Sequence, residues 1–159
     1  MADALDSTDH RIIEELVRDG RIAVRTLAET LHISRANAYA RLSRLRETGV
    51  VRGFTARVDP VARGLSTSAY ITLNLTQPDW REIRERLRTL PGVVHMALVG
   101  GEFDVILLVR AADNAALRRL VLDNIQGIPG VLSTRTLLVF EEPEPIGGAE
   151  PGLAGPEGY

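Results

Sequence analysis

Ile33-Ser-Arg-Ala-Asn-Ala-Tyr-Ala-Arg-Leu-Ser-Arg-Leu-Arg-Glu-Thr-Gly49 decides how the first third of this chain is read. Ser34 is a good helix N-cap, because its hydroxyl accepts from a backbone N–H that the first turn leaves unpaired. Gly49 stands where a left-handed residue closes the helix. Between them Ala38, Leu42 and Leu45 fall at i, i+4 and i+7, a narrow apolar stripe for a core. Asn37, Arg41 and Arg44 repeat that spacing about 100° round the helix, and Ala36, Ala40 and Ser43 lie on the outward side. Asn and Arg beside small residues suit a helix that enters a major groove and hydrogen-bonds base edges and phosphates. From Ser34 to Arg57, six arginines (35, 41, 44, 46, 52 and 57) face one acid, Glu47, a local balance of +5.

What surrounds this helix sharpens the reading. Asp6 is the expected N-cap of a first helix, with Asp9 favourable in its first turn and Gly20 at its end. Ile12, Ile13, Leu16 and Val17 form its apolar face. A second helix, about Val24 to Leu31, turns Leu27, Ala28 and Leu31 inward. Only about three residues then separate it from the third, a joint tight enough to force a steep crossing, as in a helix-turn-helix. The β-prone segment Val50–Val58 suits a small wing. Residues 1–58 therefore read as a winged helix-turn-helix that binds double-stranded DNA. The expected contacts are Arg25, Ser34, Arg35, Asn37, Tyr39, Arg41, Arg44 and Arg52, with Arg57 near phosphates in the wing.

The whole chain of 159 residues carries a net charge of −2, which hides a split. Residues 1–58 hold ten Arg against eight acids, whereas residues 59–159 hold nine against thirteen. There is no Cys, so neither disulfides nor thiolate chemistry are available, and all nineteen basic residues are Arg. No stretch approaches the roughly 20 apolar residues of a membrane span. The N-terminus lacks a signal-peptide pattern, so a cytoplasmic location without membrane contact is expected.

Residues 59–67 read as a linker, broken by Pro60 and Gly64. Beyond it the chain repeats itself: Leu90-Pro-Gly-Val93 returns as Ile128-Pro-Gly-Val131. Each copy follows an amphipathic helix and precedes a strand. The first helix, about Asp79 to Thr89, turns Trp80, Ile83 and Leu87 inward, and Leu90 continues that face. The second, about Asn114 to Gln126, uses Leu117, Leu120, Val121 and Ile125. Strands are expected over Ala69–Leu75, Val94–Val99, Phe103–Arg110 and Leu132–Phe140. The order β-α-β-β-α-β predicts a ferredoxin-like domain over 68–141, and an α+β fold class for the chain. Val105–Val109 and Leu137–Phe140 alternate little, which implies burial on both faces. A second copy of the sheet is the simplest cover, so a homodimer is expected. Residues 142–159 are rich in Glu, Pro and Gly, and read as a disordered acidic tail.

These residues resemble the Lrp/AsnC family, the leucine-responsive or feast/famine bacterial transcription regulators. The likeness rests on Leu5-Asp-x-x-Asp9, Leu27-Ala28, Ile33-Ser34, Arg41-Leu-Ser-Arg-Leu45, Gly49-Val-Val-Arg-Gly53 and the Gly101-Glu-Phe-Asp104 turn, and covers about residues 5–141. It implies a sequence-specific regulator that reads a pseudo-palindromic promoter site and controls amino-acid metabolism genes. It also implies dimers that gather into tetramers or octamers, and a small effector, usually an amino acid, held near the Gly-x-x-Asp turn. The effector residues would be Met96, Leu98, Gly100, Gly101, Glu102, Phe103 and Asp104, with Ser133, Thr134 and Thr136 opposite them. From the residues alone, Gly100 and Gly101 can take positive φ and open backbone N–H groups to a carboxylate. Asp104 can accept from an ammonium, or the glycine pair simply turns a β-hairpin.

The rival readings are a dimeric ferredoxin-like enzyme, or an oligomerising amino-acid sensor or adaptor that does not touch DNA. Glu102 and Asp104 are paired carboxylates, but no pocket that would split their pKa values is visible. His95 stands alone in a strand, and His10 and His32 read as surface residues. No catalytic residues, cofactor or metal site are expected.

Overall fold

The computed structural model describes residues 4–76 and 80–142. The expected tail, apart from Glu142, lies outside the described residues. Chain contacts divide the molecule into two compact units, one running up to Arg57 and one from Val58 to Glu142.

The first unit holds α1 (Ser7–Arg18), α2 (Val24–Leu31) and α3 (Arg35–Glu47). Asp6 caps α1 in a reciprocal box with Asp9: each side chain accepts from the other's backbone N–H. The helix stops at Arg18 and is capped by Asp19 rather than by Gly20. His32 closes α2 with φ +55, a left-handed conformation uncommon outside Gly. Ser34 caps α3 by accepting from the Asn37 N–H at 3.1 Å, and Gly49 follows with φ +74. Ile12, Leu27, Leu31 and Leu45 form the core, against which Leu5, Ile13, Leu16, Ile22, Ile33 and Val51 pack. Ala38 is fully buried and Leu42 partly so, whereas Ala36, Ala40 and Ser43 are exposed.

The expected β wing does not form: Val50–Val58 takes no strand pairing. A lone two-stranded ribbon is marginal in water, and among the described residues of this unit no second strand is there to hold it. Phe54 instead lies against Gly20, where an added Cβ would come within 3.2 Å of its ring.

The second unit is a four-stranded antiparallel sheet, β1 (Thr67–Leu75), β2 (Val93–Leu98), β3 (Val105–Ala111) and β4 (Val131–Val139), in the order β2-β3-β1-β4. The helices α4 (Trp80–Thr89) and α5 (Asn114–Arg119) cover one face. The second expected helix is not α throughout: from Leu120 to Ile125 it widens into a π turn, where the Gln126 N–H donates to the Val121 carbonyl. The twin Pro-Gly turns do equivalent work. Gly92 and Gly130 both have φ near +90, their carbonyls accepting from Arg110 N–H and Thr76 N–H.

Strand burial alternates more than the sequence suggests. On β3, Val105, Leu107, Val109 and Ala111 are buried under the helices, while Ile106, Leu108 and Arg110 on the outer face are partly exposed. Leu137 is half-exposed on that outer face, opposite Tyr70. Burial on both faces is therefore not completed within one chain.

Candidate nucleic-acid interface and ligand-binding turn

The Asn37, Arg41 and Arg44 row of α3 faces α1. Arg41 donates from Nη1 to Asp6 Oδ2 at 2.7 Å and to Asp9 Oδ1 at 2.9 Å, and from Nε to Asn37 Oδ1 at 2.7 Å. Arg44 donates from Nη2 to the other Asp9 oxygen. Asp9 has 0% exposure, so this is a buried carboxylate with both oxygens engaged. Burial pushes its carboxyl up, but Arg44, the Asp6 N–H and Arg41 outweigh that and hold it at about 2, against an ordinary 3.8. The Asp9 N–H and Arg41 likewise lower Asp6.

The expected DNA contacts thus fall into two sets. Arg41 and Arg44 are not free on the reading face, and their guanidiniums are held by acids 32 to 35 residues earlier in the chain. Asn37 is exposed, but its carbonyl is taken by Arg41. On the other side of α3, Arg35 is exposed and Tyr39 is 64% exposed. Ser43, Arg46 and Arg52 line one shallow open depression with Val51 and Phe54. Among the described residues Arg35, Arg46 and Arg52 make no ion pair, whereas Arg25 is paired with Glu29 at 2.9 Å. Arg46 was absent from the expected contacts, although its place at helical spacing from Arg35, Tyr39 and Ser43 marks it.

In the second unit, Val99–Asp104 joins β2 to β3, the Val99 N–H donating to the Asp104 carbonyl. Gly101 has φ +129, but Gly100 is not left-handed, so only one of the two expected glycines takes positive φ. Asp104 is tied inward: its carboxylate accepts from the Leu75 N–H at 2.8 Å and its own N–H donates to Leu73. Glu102 and Phe103 reach across to β4, where Arg135 lies 3.4 Å from Glu102 Oε1 and 5.2 Å from the Phe103 ring centroid.

Residues 5–46 match a family model described as the AsnC-type helix-turn-helix domain, and residues 68–147 match one described as the Lrp/AsnC ligand binding domain. The chain belongs to the Lrp/AsnC family. It is 37% identical over 150 residues to the HTH-type transcriptional regulator AldR of Mycolicibacterium smegmatis, covering 92% of this chain and 86% of that one. It is 36% identical over 146 residues to an HTH-type transcriptional regulator of Pyrococcus horikoshii, covering 88% and 95% respectively. The fold is similar to that of a Neisseria meningitidis transcriptional regulator solved as its L-Met complex. That likeness has a TM-score of 0.83 at 28% identity, over 92% of this chain and 97% of the other.

This Lrp/AsnC chain is accordingly an effector-modulated, DNA-binding transcriptional regulator, from a family that is not enzymatic. Its expected effector residues do not converge within one chain. Met96 and Leu98 lie on the helix side of β2, and Thr134 and Thr136 on the helix side of β4. These strands are the two edges of the sheet, about 14 Å apart at ordinary strand spacing. Thr134 accepts from Gln126 at 2.7 Å, while Ser133 lies on the outer face and accepts from Asn74 at 3.3 Å. The residue that does meet the turn is Arg135, which lies within the expected Ser133–Thr136 segment but is not among its named contacts. Strand alternation was the available signal, since it places Ser133, Arg135 and Leu137 on one face.

Proposed function

We propose that this regulator answers to an α-amino acid and controls genes of amino-acid metabolism from the cytoplasm. The observation that carries the effector class is the Glu102–Phe103–Arg135 group. It offers one carboxylate, one guanidinium and one aromatic surface, and the Glu102 and Arg135 side chains are 68% and 61% exposed. A zwitterion carries the complementary charges on one carbon, and the ring suits an apolar side chain. The L-Met complex of the Neisseria relative supports the same class. Among the described residues no helix is long and apolar enough to cross a membrane.

In this reading residues 1–58 bind a pseudo-palindromic duplex, 59–67 connect, and 68–141 hold the effector and pair with a second copy. An apolar patch on the outer face of the sheet supports the pairing, with Tyr70 and Leu137 exposed there beside Ala97, Ile106 and Leu108. Met96, Leu98, Ser133, Thr134 and Thr136 then contribute across contacts between copies in a tetramer or octamer. Asp104 shapes the turn from beneath rather than touching the ligand. The test is titration of the full-length protein with its own upstream promoter DNA in the presence of each proteinogenic amino acid. One or a few amino acids should shift the affinity or the footprint, and Arg135→Gln should abolish that shift while leaving ligand-free DNA binding intact. A response retained in Arg135→Gln removes the charged turn from the effector site.

A further inference from the structure

The arginines of α3 do not do one job. We infer that Arg41 and Arg44 are positioning residues, locked onto Asp9 and Asp6, and that DNA is contacted from the opposite side of the helix by Arg35, Tyr39, Ser43 and Arg46. The inference rests on the DNA-binding role of the first unit and divides the labour within it.

Three observations carry it. Asp9 is buried with both oxygens engaged, one by each arginine, while a second Arg41 bond reaches Asp6. Withdrawing either guanidinium to meet a phosphate would strip a buried carboxylate of a partner, which is costly compared with recruiting a solvated arginine. Secondly, at 100° per residue Arg46 and Arg44, and likewise Tyr39 and Arg41, lie about 160° apart round the helix. A helix that seats one side in a groove cannot also present the other. Thirdly, Arg35, Tyr39, Ser43 and Arg46 are all exposed and border the small residue Ala36 on the outward face, which lets the backbone approach base edges.

The lock also fixes what is presented. Arg41 sits on three acceptors, from Asp6, Asp9 and Asn37, one helical turn before Arg44 on the same acid. Two successive turns of α3 are thereby keyed to the first turn of α1. That sets the rotation of α3 about its own axis and hence which residues point at the bases. In this scheme Tyr39, at the middle of the exposed side, determines specificity, and Arg35 and Arg46 neutralise phosphates.

Salt dependence separates the two sets, because each phosphate contact released lowers the slope of log K against log salt by about 0.9. Full-length wild type, Arg35→Gln, Arg46→Gln, Arg41→Gln, Arg44→Gln and Asp9→Asn are each titrated against a duplex selected by wild type from a random pool, and against the unselected pool. Active fractions are counted by stoichiometric titration. Arg46→Gln and Arg35→Gln should each lower the slope by about one phosphate, whereas Arg41→Gln and Arg44→Gln leave it unchanged. Asp9→Asn should keep the slope but reduce the ratio of selected to unselected affinity about tenfold, the size of one lost base contact. A purely structural lock would lower the active fraction and leave that ratio alone. A slope lowered by Arg41→Gln or Arg44→Gln makes those residues phosphate contacts and overturns the inference. An unchanged ratio in Asp9→Asn overturns the positioning role. If Asp9→Asn does not fold, Asp6→Asn, which weakens the second Arg41 Nη1 bond without touching α3, is read by the same ratio. Failure of wild type to prefer any selected duplex would instead remove the sequence-specific reading itself.

Discussion

Asp9 shows how much one buried carboxylate organises. Its carboxyl is held at about 2 in the folded chain, below the 3.8 of an exposed aspartate. The unfolded chain therefore takes up the proton first as pH falls. The stabilisation it provides is complete above about pH 4 and is lost as pH drops through the folded value. Asp9→Asn should thus flatten the acid limb of stability between about pH 4 and 2, and cost about 2–3 kcal/mol at pH 7. Urea unfolding at a series of pH values measures both, and a parallel offset from wild type at every pH would remove the titration from the account. Asp104 is the contrasting case. Its bond to the Leu75 N–H fastens the effector turn to the end of β1, so Asp104→Ala should cost about 1–2 kcal/mol by leaving that amide unpaired. The midpoint of urea unfolding checks it, and a stability equal to wild type would return Asp104 to the list of direct ligand contacts. Neither role was legible in spacing alone. Helical periodicity says that Asn37, Arg41 and Arg44 share a side, but not that α1 presents Asp6 and Asp9 to it.

The paired turns before β2 and β4 make a sharper prediction, because the two glycines meet different neighbours. A Cβ on Gly92 would lie 2.5 Å from the Arg110 carbonyl oxygen, whereas on Gly130 its nearest neighbours are the Ile83 Cδ1 and Thr76 Oγ1 side-chain ends. Backbone cannot yield as a side-chain tip can. Gly92→Ala should therefore cost at least about 3 kcal/mol and Gly130→Ala about 1–2 kcal/mol, measured by thermal unfolding. The reverse order would show that Arg110 moves aside more easily than Ile83. This repeat was plain in the sequence, because Leu-Pro-Gly-Val and Ile-Pro-Gly-Val announce the same helix-turn-strand device twice. The three N-terminal helices and the four strands were equally legible, since apolar periodicity reports which face is buried. The π turn at Leu120–Ile125 was not, since Leu117, Leu120, Val121 and Ile125 satisfy an α-helical stripe and a single wider turn changes their phase little. The wing failed for a different reason. Val50–Val58 has the composition of a strand, but a strand also needs a partner, and β-propensity reports fit to a pleated surface rather than the presence of one.

One chain leaves the sheet half-covered, and that shortfall predicts how copies combine. The outer face presents Ala97, Ile106, Leu108, Tyr70 and Leu137 across adjoining strands, with Leu137 50% and Tyr70 38% exposed. Apolar surface of this kind is stabilised by a matching surface, and a two-fold copy of the same sheet matches it by symmetry. Leu137→Asp isolates the point. The side chain is already half in water, so the substitution should cost an isolated chain only about 1–2 kcal/mol, from half a leucine's burial and the poor fit of Asp to a strand. In a dimer the same carboxylate would be buried without a partner, which disfavours association strongly. Sedimentation velocity should show wild type as a dimer or larger and Leu137→Asp shifted toward the monomer. DNA binding should follow, because a dimer engages two half-sites at once and a monomer only one. The loss of the second, effectively intramolecular contact should weaken binding to the full site by about 100-fold, while an isolated half-site is bound as before. A Leu137→Asp protein that remains dimeric and holds the full site as tightly as wild type would place the contact between copies on another surface. The exposed edge around Leu98 would then be the next to test.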